Sequence, residues 1–495
     1  MPTFDEMSQL IALFNAGRYL ELENLSRSLL ERYPDSGFIW KVLGTALQVQ
    51  GKEALPALHK ATELLPDDAE AHNNLGSALQ GIGQLAGAAA CYRRALDVAP
   101  DFATAHSNLG NTLRELGQLE GAAASYRRAL ELKPDYAEVH SNLGLVLKGL
   151  GQLEGAVASY RRALQLKPDS AEAHSNLGNA LKELGRLDDA LASCLLALEI
   201  NPDFAEAHGN LGNALRELGQ FEAAVSSYRR ALELKPDSAE AHSNLGIALQ
   251  DLGQLDDALA SCRRALELKP EYAKAHANLA NILRDLGQLD DAVTSYRRAL
   301  AIQPDYAEAY CNLALALNDL GQSAAAVSRC RRALELKPDL AEAHFNLGLF
   351  LLETGRYSEA WPEYEYRWEG ASPKLPRPIV PLPQWSGQQP ASGDRLLILE
   401  EQGIGDRLQF ARYLPLATER FAGRVSLVIC KPIQTLFRRS FPGVDMLDAP
   451  PADPRAWQWQ CPLLSLPLAF GTTLETIPKP VPYLLPDPVR AAFWQ

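Results

Sequence analysis

Nine asparagines stand in register through the chain: Asn74, Asn108, Asn142, Asn176, Asn210, Asn244, Asn278, Asn312 and Asn346, each 34 residues from the next. A carboxamide carries both donors and acceptors. A row of them can grip a peptide backbone through its N–H or its C=O groups and stay largely blind to side chains. Asparagine inside a helix costs up to about 0.7 kcal/mol relative to alanine. Nine copies therefore need a compensating interaction. Either each amide bonds a neighbouring repeat, or the row faces an extended peptide along a concave face.

Eight histidines keep the same step: His72, His106, His140, His174, His208, His242, His276 and His344. A metal would need its ligands to converge to about 2 Å from one ion. Equivalent positions on stacked helices lie roughly 10 Å apart. These histidines are expected to pack or hydrogen-bond, and no metal site is expected. Arginine pairs recur from Arg93-Arg94 to Arg331-Arg332. Acidic residues such as Glu131 and Glu233 stand four residues after the first arginine, which predicts a solvated ion-pair face.

The other reactive candidate is Gly403-Ile-Gly405-Asp406. Its glycines allow close approach to a ligand, and a helix start favours anions. Asp406 stands where a general base could meet a substrate hydroxyl. A plain helix-capping role fits Asp406 equally well.

The elements that position these residues follow from the period. In the unit 103–136, Leu109, Leu113 and Leu116 keep helical spacing, as do Leu119, Ala122, Tyr126 and Ala129. Gly117 separates the two runs and Pro134 ends the second. Asp135 with Glu138 has the capping-box spacing and is expected to cap the next first helix, as are Asp169, Asp203, Asp237, Asp305 and Asp339 with Glu172, Glu206, Glu240, Glu308 and Glu342. Small Gly110 and Ala122 let the paired helices approach. Each unit is thus a helical hairpin that buries its apolar face only by stacking on neighbours. Cys194, Cys262 and Cys330 occupy the position that elsewhere holds tyrosine, and are expected in the core.

The formal charge of −13 argues against general nucleic-acid binding. It is uneven: residues 1–370 carry 35 Lys+Arg against 51 Asp+Glu, whereas 371–495 carry 13 against 10. Two chemically different parts are expected. Neither a signal peptide nor an 18-residue apolar run is apparent, and cysteine usage is that of a reducing compartment, so a cytoplasmic protein without membrane contact is expected.

The period and the residues His106, Leu109-Gly110, Ala122, Tyr126, Ala129 and Pro134 resemble the tetratricopeptide repeat (TPR). The segment Ala-His-Ser-Asn-Leu-Gly at 105–110, 173–178 and 241–246 looks like the repeats of O-linked N-acetylglucosamine transferases. That resemblance implies asparagines lining a superhelix and holding extended proteins. An all-α superhelical solenoid of about eleven hairpins is expected, with degenerate capping repeats at 1–68 and regular ones at 69–370.

Beyond it, 371–394 reads as a proline-rich linker. A strand at 395–400, the Gly-x-Gly-Asp loop, an amphipathic run at 407–421, a strand at 424–430, a helix at 432–440 and a strand at 444–447 read as a parallel, Rossmann-like half-domain over 395–495. The strings at 385–387, 396–417 and 461–472 resemble bacterial fusions of TPRs to GT-B, heptosyltransferase-like glycosyltransferases. In that family the aspartate matching Asp406 is the proposed acceptor base. A GT-B enzyme binds its nucleotide-sugar donor mainly on a second lobe, for which this sequence has no room. A protein-binding scaffold with a glycosyltransferase-related, incomplete tail is therefore expected, needing no cofactor unless a donor lobe is supplied. The alternatives are a protein O-glycosyltransferase and a self-assembling scaffold.

Overall fold

The computed structural model describes residues 2–479 and 482–487. The chain forms two compact units, Met1–Leu252 and Gly253–Gln495. Among the described residues, helices alternate from Phe4 to Tyr364 as eleven successions of first helix, turn and second helix. Each has a first helix such as Ala103–Glu115, a tight turn, and a second helix such as Leu119–Leu132. Gly117 closes that turn at φ +73°, where a side chain would be strained, and glycines with φ between 67° and 76° close the other ten.

The close approach inside a hairpin has a specific cause. A Cβ on Gly110 would lie 2.5 Å from Cε1 of Tyr126. The missing side chain leaves room for a ring that is fully buried. Cys194 fills the same place opposite Gly178. Cys194, Cys262 and Cys330 lie in the core as expected. Burial pushes the thiols of Cys194 and Cys262 up to about 12, so they are inert rather than nucleophilic.

The buried tyrosines need acceptors. Tyr126 and Tyr228 donate to Oδ1 of Asn111 and Asn213 at 2.6 and 2.7 Å. Among the described residues Tyr160 has no partner for its buried hydroxyl, because Leu145 stands where the asparagine would be. We expect Tyr126→Phe and Tyr228→Phe to cost about 1 kcal/mol each, and Tyr160→Phe to be neutral or stabilising by a similar amount. Urea unfolding of the three variants checks this. An equal loss in all three would contradict the assignment.

Two details of the hairpin ends differ from expectation. Asp68 caps its helix, accepting from the Ala71 N–H at 3.0 Å. After Asp135, Asp203, Asp305 and Asp339, however, the N-cap is the next residue, Tyr136, Phe204, Tyr306 or Leu340, with no side-chain cap bond. Ser170 and Ser238 cap instead of Asp169 and Asp237. The Pro-Asp pair forms a turn, so the helix begins one residue later. Where a glutamate follows, the second arginine of the pair, not the first, meets it at a spacing of three, as in Arg128–Glu131, Arg230–Glu233 and Arg332–Glu335. Arg128 and Arg230 also reach back to Asp101 and Asp203, the second of which was expected to cap.

The chain after Gly370 builds a four-stranded sheet in the second unit. Its strands are β1 (Leu396–Leu399), β2 (Val425–Val428), β3 (Val444–Leu447) and β4 (Trp459–Pro462). All neighbours are parallel, in the order β3-β2-β1-β4. The first three match expected strands. β4 was not expected, since Trp-Gln-Cys-Pro offers no apolar run and ends in proline. The run at 407–421 forms short helical pieces, Ile404–Phe410, Ala411–Tyr413 and Leu414–Arg420, and a further helix spans Lys431–Ser440. The proline-rich stretch is partly anchored. Trp385 is 1% exposed and its N–H donates to the Gln460 carbonyl at 2.8 Å. Residues 480–481 and 488–495 of the expected lobe lie outside the described residues.

Candidate functional site

The asparagine row lies on the first helices, whose residues four and five positions further on are buried in the core. Asn74, Asn108, Asn142, Asn176, Asn244 and Asn312 are half-buried, while Asn210, Asn278 and Asn346 are buried. Most of the amides donate to the preceding repeat. Asn74 reaches Thr45 at 3.2 Å, Asn108 reaches Asn73 at 3.0 Å, and Asn142 reaches Asn111 at 3.1 Å. Asn210 reaches Ser175 at 2.9 Å and Asn244 reaches Asn213 at 3.2 Å. In the second unit, Asn312 reaches Asn281 and Asn346 reaches Cys311, both at 3.3 Å. The inter-repeat role considered for the row is therefore present, and it uses one N–H donor of each such amide.

Sequence reasoning missed a second set of asparagines, three residues further on. Asn111 and Asn213 each accept twice, from their own repeat's tyrosine and from the next repeat's row asparagine. The signal was present in the sequence as the pairing of Asn111 with Tyr126 and of Asn213 with Tyr228. Asn179 stands at the same position, but its hairpin carries Cys194 in place of tyrosine. Among the described residues the carboxamides of Asn176 and Asn179 make no hydrogen bond, and both residues are half-buried.

The histidines hydrogen-bond, as expected. Nε2 of His106 lies 2.9 Å from the Pro100 carbonyl, and His72, His140, His174, His208, His242, His276 and His344 repeat the contact with the proline six residues back. Each ties its helix to the turn before it. No group of three or more His, Cys, Asp or Glu among the described residues could hold a metal ion. No helix among them is long and apolar enough to cross a membrane.

Two cavities open on the first-helix side of the Met1–Leu252 unit, of about 580 and 470 Å³. They are built from the same positions two repeats apart. Asn111, Glu138, Asn142, Lys167, Ser170 and Glu172 line one; Asn179, Glu206, Asn210, Lys235, Ser238 and Glu240 line the other. Within each, the asparagine comes from a first helix, the lysine from the end of a second helix, and the serine from the next helix start. Asn213, Asn244 and Lys148 also line the larger cavity. Amide, hydroxyl, ammonium and carboxylate groups thus converge with nearly balanced charge. Such a lining suits a polar, hydrogen-bonding ligand of either local sign better than a strongly anionic one.

In the second unit the Gly403–Asp406 segment follows β1. The strained residue is Gln402, at φ +55°, rather than either glycine. Gly403 is the N-cap of a seven-residue helix, and its N–H donates to Oδ2 of Asp406 at 3.3 Å. The N-cap is thus Gly403 and not Asp406, which stands at the third helical position and reaches back to the Gly403 N–H. Gly405 is exposed with open space around it.

The C-terminal ends of β1 and β4 flank the point where the strand order reverses, which is where open parallel sheets hold ligands. Here that place is filled by the chain itself. Arg367 is fully buried and holds Glu401, just after β1, through Nε–Oε2 at 2.9 Å and Nη2–Oε1 at 3.1 Å. Its guanidinium also donates to Ser465 Oγ at 2.7 Å, just after β4, and to Glu365 at 2.9 Å. Burial pushes the Glu401 carboxyl above its ordinary range, against the pull of Arg367. Sequence reasoning placed neither residue in a site, because the two stand on opposite sides of the proline-rich stretch.

Comparison with known proteins adds the family. Residues 81–113, 110–151, 149–185, 212–253 and 280–321 match a family model described as TPR repeat. Residues 171–204, 193–226, 239–272, 261–294 and 311–376 match models described as tetratricopeptide repeat. Protein FlbA of Caulobacter vibrioides is 35% identical over 158 residues, 28% of this chain and 26% of FlbA. The chain therefore spans about a quarter of the length of that curated relative. The crystal structure of MamA is 27% identical with a TM-score of 0.31, covering 35% of this chain and 94% of that one. The structure of YrrB, described as a TPR protein with an unusual peptide-binding site, is 23% identical with a TM-score of 0.30, covering 40% and 97%.

Proposed function

The chain belongs to the tetratricopeptide-repeat proteins, and on that premise we propose that it is a scaffold that captures an extended polypeptide along the first-helix face of its repeats. The observation that carries this reading is the pair of polar cavities, built from the same residue positions two repeats apart. A ligand that satisfies both must present similar backbone-like hydrogen-bonding groups at regular distances, as an extended peptide does. The tethered row asparagines have one N–H committed to the neighbouring repeat. Their remaining amide groups, with Asn176 and Asn179 uncommitted, supply the grip.

Replacing Asn142, Asn176 and Asn244 with Ala is expected to weaken binding of unstructured peptides by about tenfold or more, given about 1 kcal/mol per hydrogen bond. A peptide array probed with the purified chain supplies the ligands, and fluorescence anisotropy supplies the affinities. Helical content should stay unchanged by circular dichroism. Unaltered affinity in the triple variant would sink the proposal.

A second reading concerns the sheet. Its order is that of the first half of a doubly wound fold. This supports a Rossmann-like lobe, and its relation to the N-terminal half of GT-B glycosyltransferases rests on the sequence resemblance alone. In a transferring enzyme Asp406 would deprotonate the acceptor. Its capping bond and the filling of the switch point by Arg367 favour a lobe that binds or braces rather than reacts. Sugar transfer from a nucleotide donor by this chain, abolished by Asp406→Asn, would reverse that preference.

A further inference from the structure

One second helix breaks the outer-face pattern. The helices at Leu187–Ile200 and Leu255–Leu268 share their first eight residues, LDDALASC. Then Leu195-Leu196 stand where Arg263-Arg264 do. Leu195, Leu196 and Ile200 are 45%, 44% and 41% exposed. A cluster of exposed aliphatic side chains in place of a charged pair marks an interaction surface.

The substitution also strands charges. In two other repeats the second arginine joins a glutamate three residues on and the aspartate of the turn before its own hairpin. Arg128 does so with Glu131 and Asp101, and Arg230 with Glu233 and Asp203, while Arg162 reaches Gln165 instead. Position 196 cannot do this. Among the described residues, the corresponding Glu199 and Asp169 have no ion pair, and both are exposed. On the flanking second helices, Leu153–Leu166 and Phe221–Leu234, the first arginines Arg161 and Arg229 are likewise exposed and unpaired among the described residues.

The patch lacks an apolar cover, a cation between Asp169 and Glu199, and anions for Arg161 and Arg229. A second copy of the same patch supplies all three, with two free cations and two free anions around an aliphatic centre. We propose that this outer face is a self-complementary dimer interface centred on Leu195 and Leu196. A two-fold axis makes each copy's needs the other's offers. The three second helices have 14 residues each and are about 21 Å long, so the face they present is of the order of several hundred Å² per copy. That is the lower end for a specific interface, so the dimer is a weak one.

Sedimentation equilibrium of the full chain between about 5 and 200 μM tests it, since dissociation constants of weak interfaces fall in this range. The expected result is a concentration-dependent dimer, weakened at least about tenfold by Leu195→Arg/Leu196→Arg, because the aliphatic centre is where the binding energy concentrates. That variant restores the sequence carried by the other repeats and re-pairs Asp169 and Glu199 within the chain. Leu195→Ala/Leu196→Ala keeps helix propensity and serves if the arginine variant misfolds. A wild-type chain that stays monomeric throughout, or a dimer unaffected in the folded variant, overturns the proposal.

Discussion

Arg367→Met is expected to destabilise the sheet-bearing part of the second unit by about 3–5 kcal/mol, the cost of stripping one partner from a buried ion pair. Methionine replaces the stem but leaves Glu401, whose side chain is 1% exposed, facing no cation. It also strips a donor from Ser465 and Glu365 and removes a guanidinium held 5.2 and 4.4 Å from the ring centres of Tyr364 and Trp368. The Leu464 N–H, 2.7 Å from Glu401, cannot neutralise the carboxylate. The double variant Arg367→Met/Glu401→Leu should recover most of the loss, because no buried charge then remains. Six of the seven tryptophans lie at position 361 or beyond. Tryptophan fluorescence during urea unfolding therefore reports this part, while far-UV circular dichroism reports mainly the hairpins. An unchanged fluorescence midpoint in the single variant would show that the cluster does not hold the sheet.

Tyr228→Ala is the second large effect, expected to cost about 3–5 kcal/mol within the first unit. The ring is fully buried, and a Cβ on Gly212 would lie 2.7 Å from it, so deletion leaves a void that a glycine cannot fill. The damage extends to the proposed binding face. Tyr228 holds Asn213, Asn213 accepts from Asn244, and both asparagines line the larger cavity. Stability in stacked repeats is nearly a sum of local and nearest-neighbour terms. Faster hydrogen exchange should therefore concentrate in Ala205–Glu217 and Ala239–Asp251, accompanied by weaker peptide binding. A stability change below about 1 kcal/mol would contradict the packing account.

The hairpins are legible in the sequence because their period writes the same constraint many times. Gly117, Tyr126 and Pro134 each state a local rule, and repetition removes ambiguity. Cap positions are harder to read where two local rules compete: an aspartate after proline can start a helix or close a turn, and the arginine that draws it away stands on the hairpin's second helix. The row asparagines are visible, but not the direction of their amides, which depends on whether residue 73, 111, 175 or 213 offers an acceptor. β4 escapes because its partner strand, not its own composition, makes it a strand. The Arg367–Glu401 pair escapes because burial of a charge is a property of the assembled unit, whereas the sequence shows only an arginine in a short aromatic segment.

The unpaired amide of Asn176 has a mechanical meaning. Asn142 and Asn210 tie their hairpins backward, but among the described residues the hairpin containing Asn176 lacks that tether: Leu145 stands where Asn111 would, and Ser141, the counterpart of Ser175, is not engaged. Lys148–Glu183, at 3.6 Å, is a looser link across the same junction. A stack of springs in series yields where one spring is softest. The middle of the first unit is thus where the array can flex to fit a strand laid along it, with the stiffer tethers on either side fixing the span over which that strand is held.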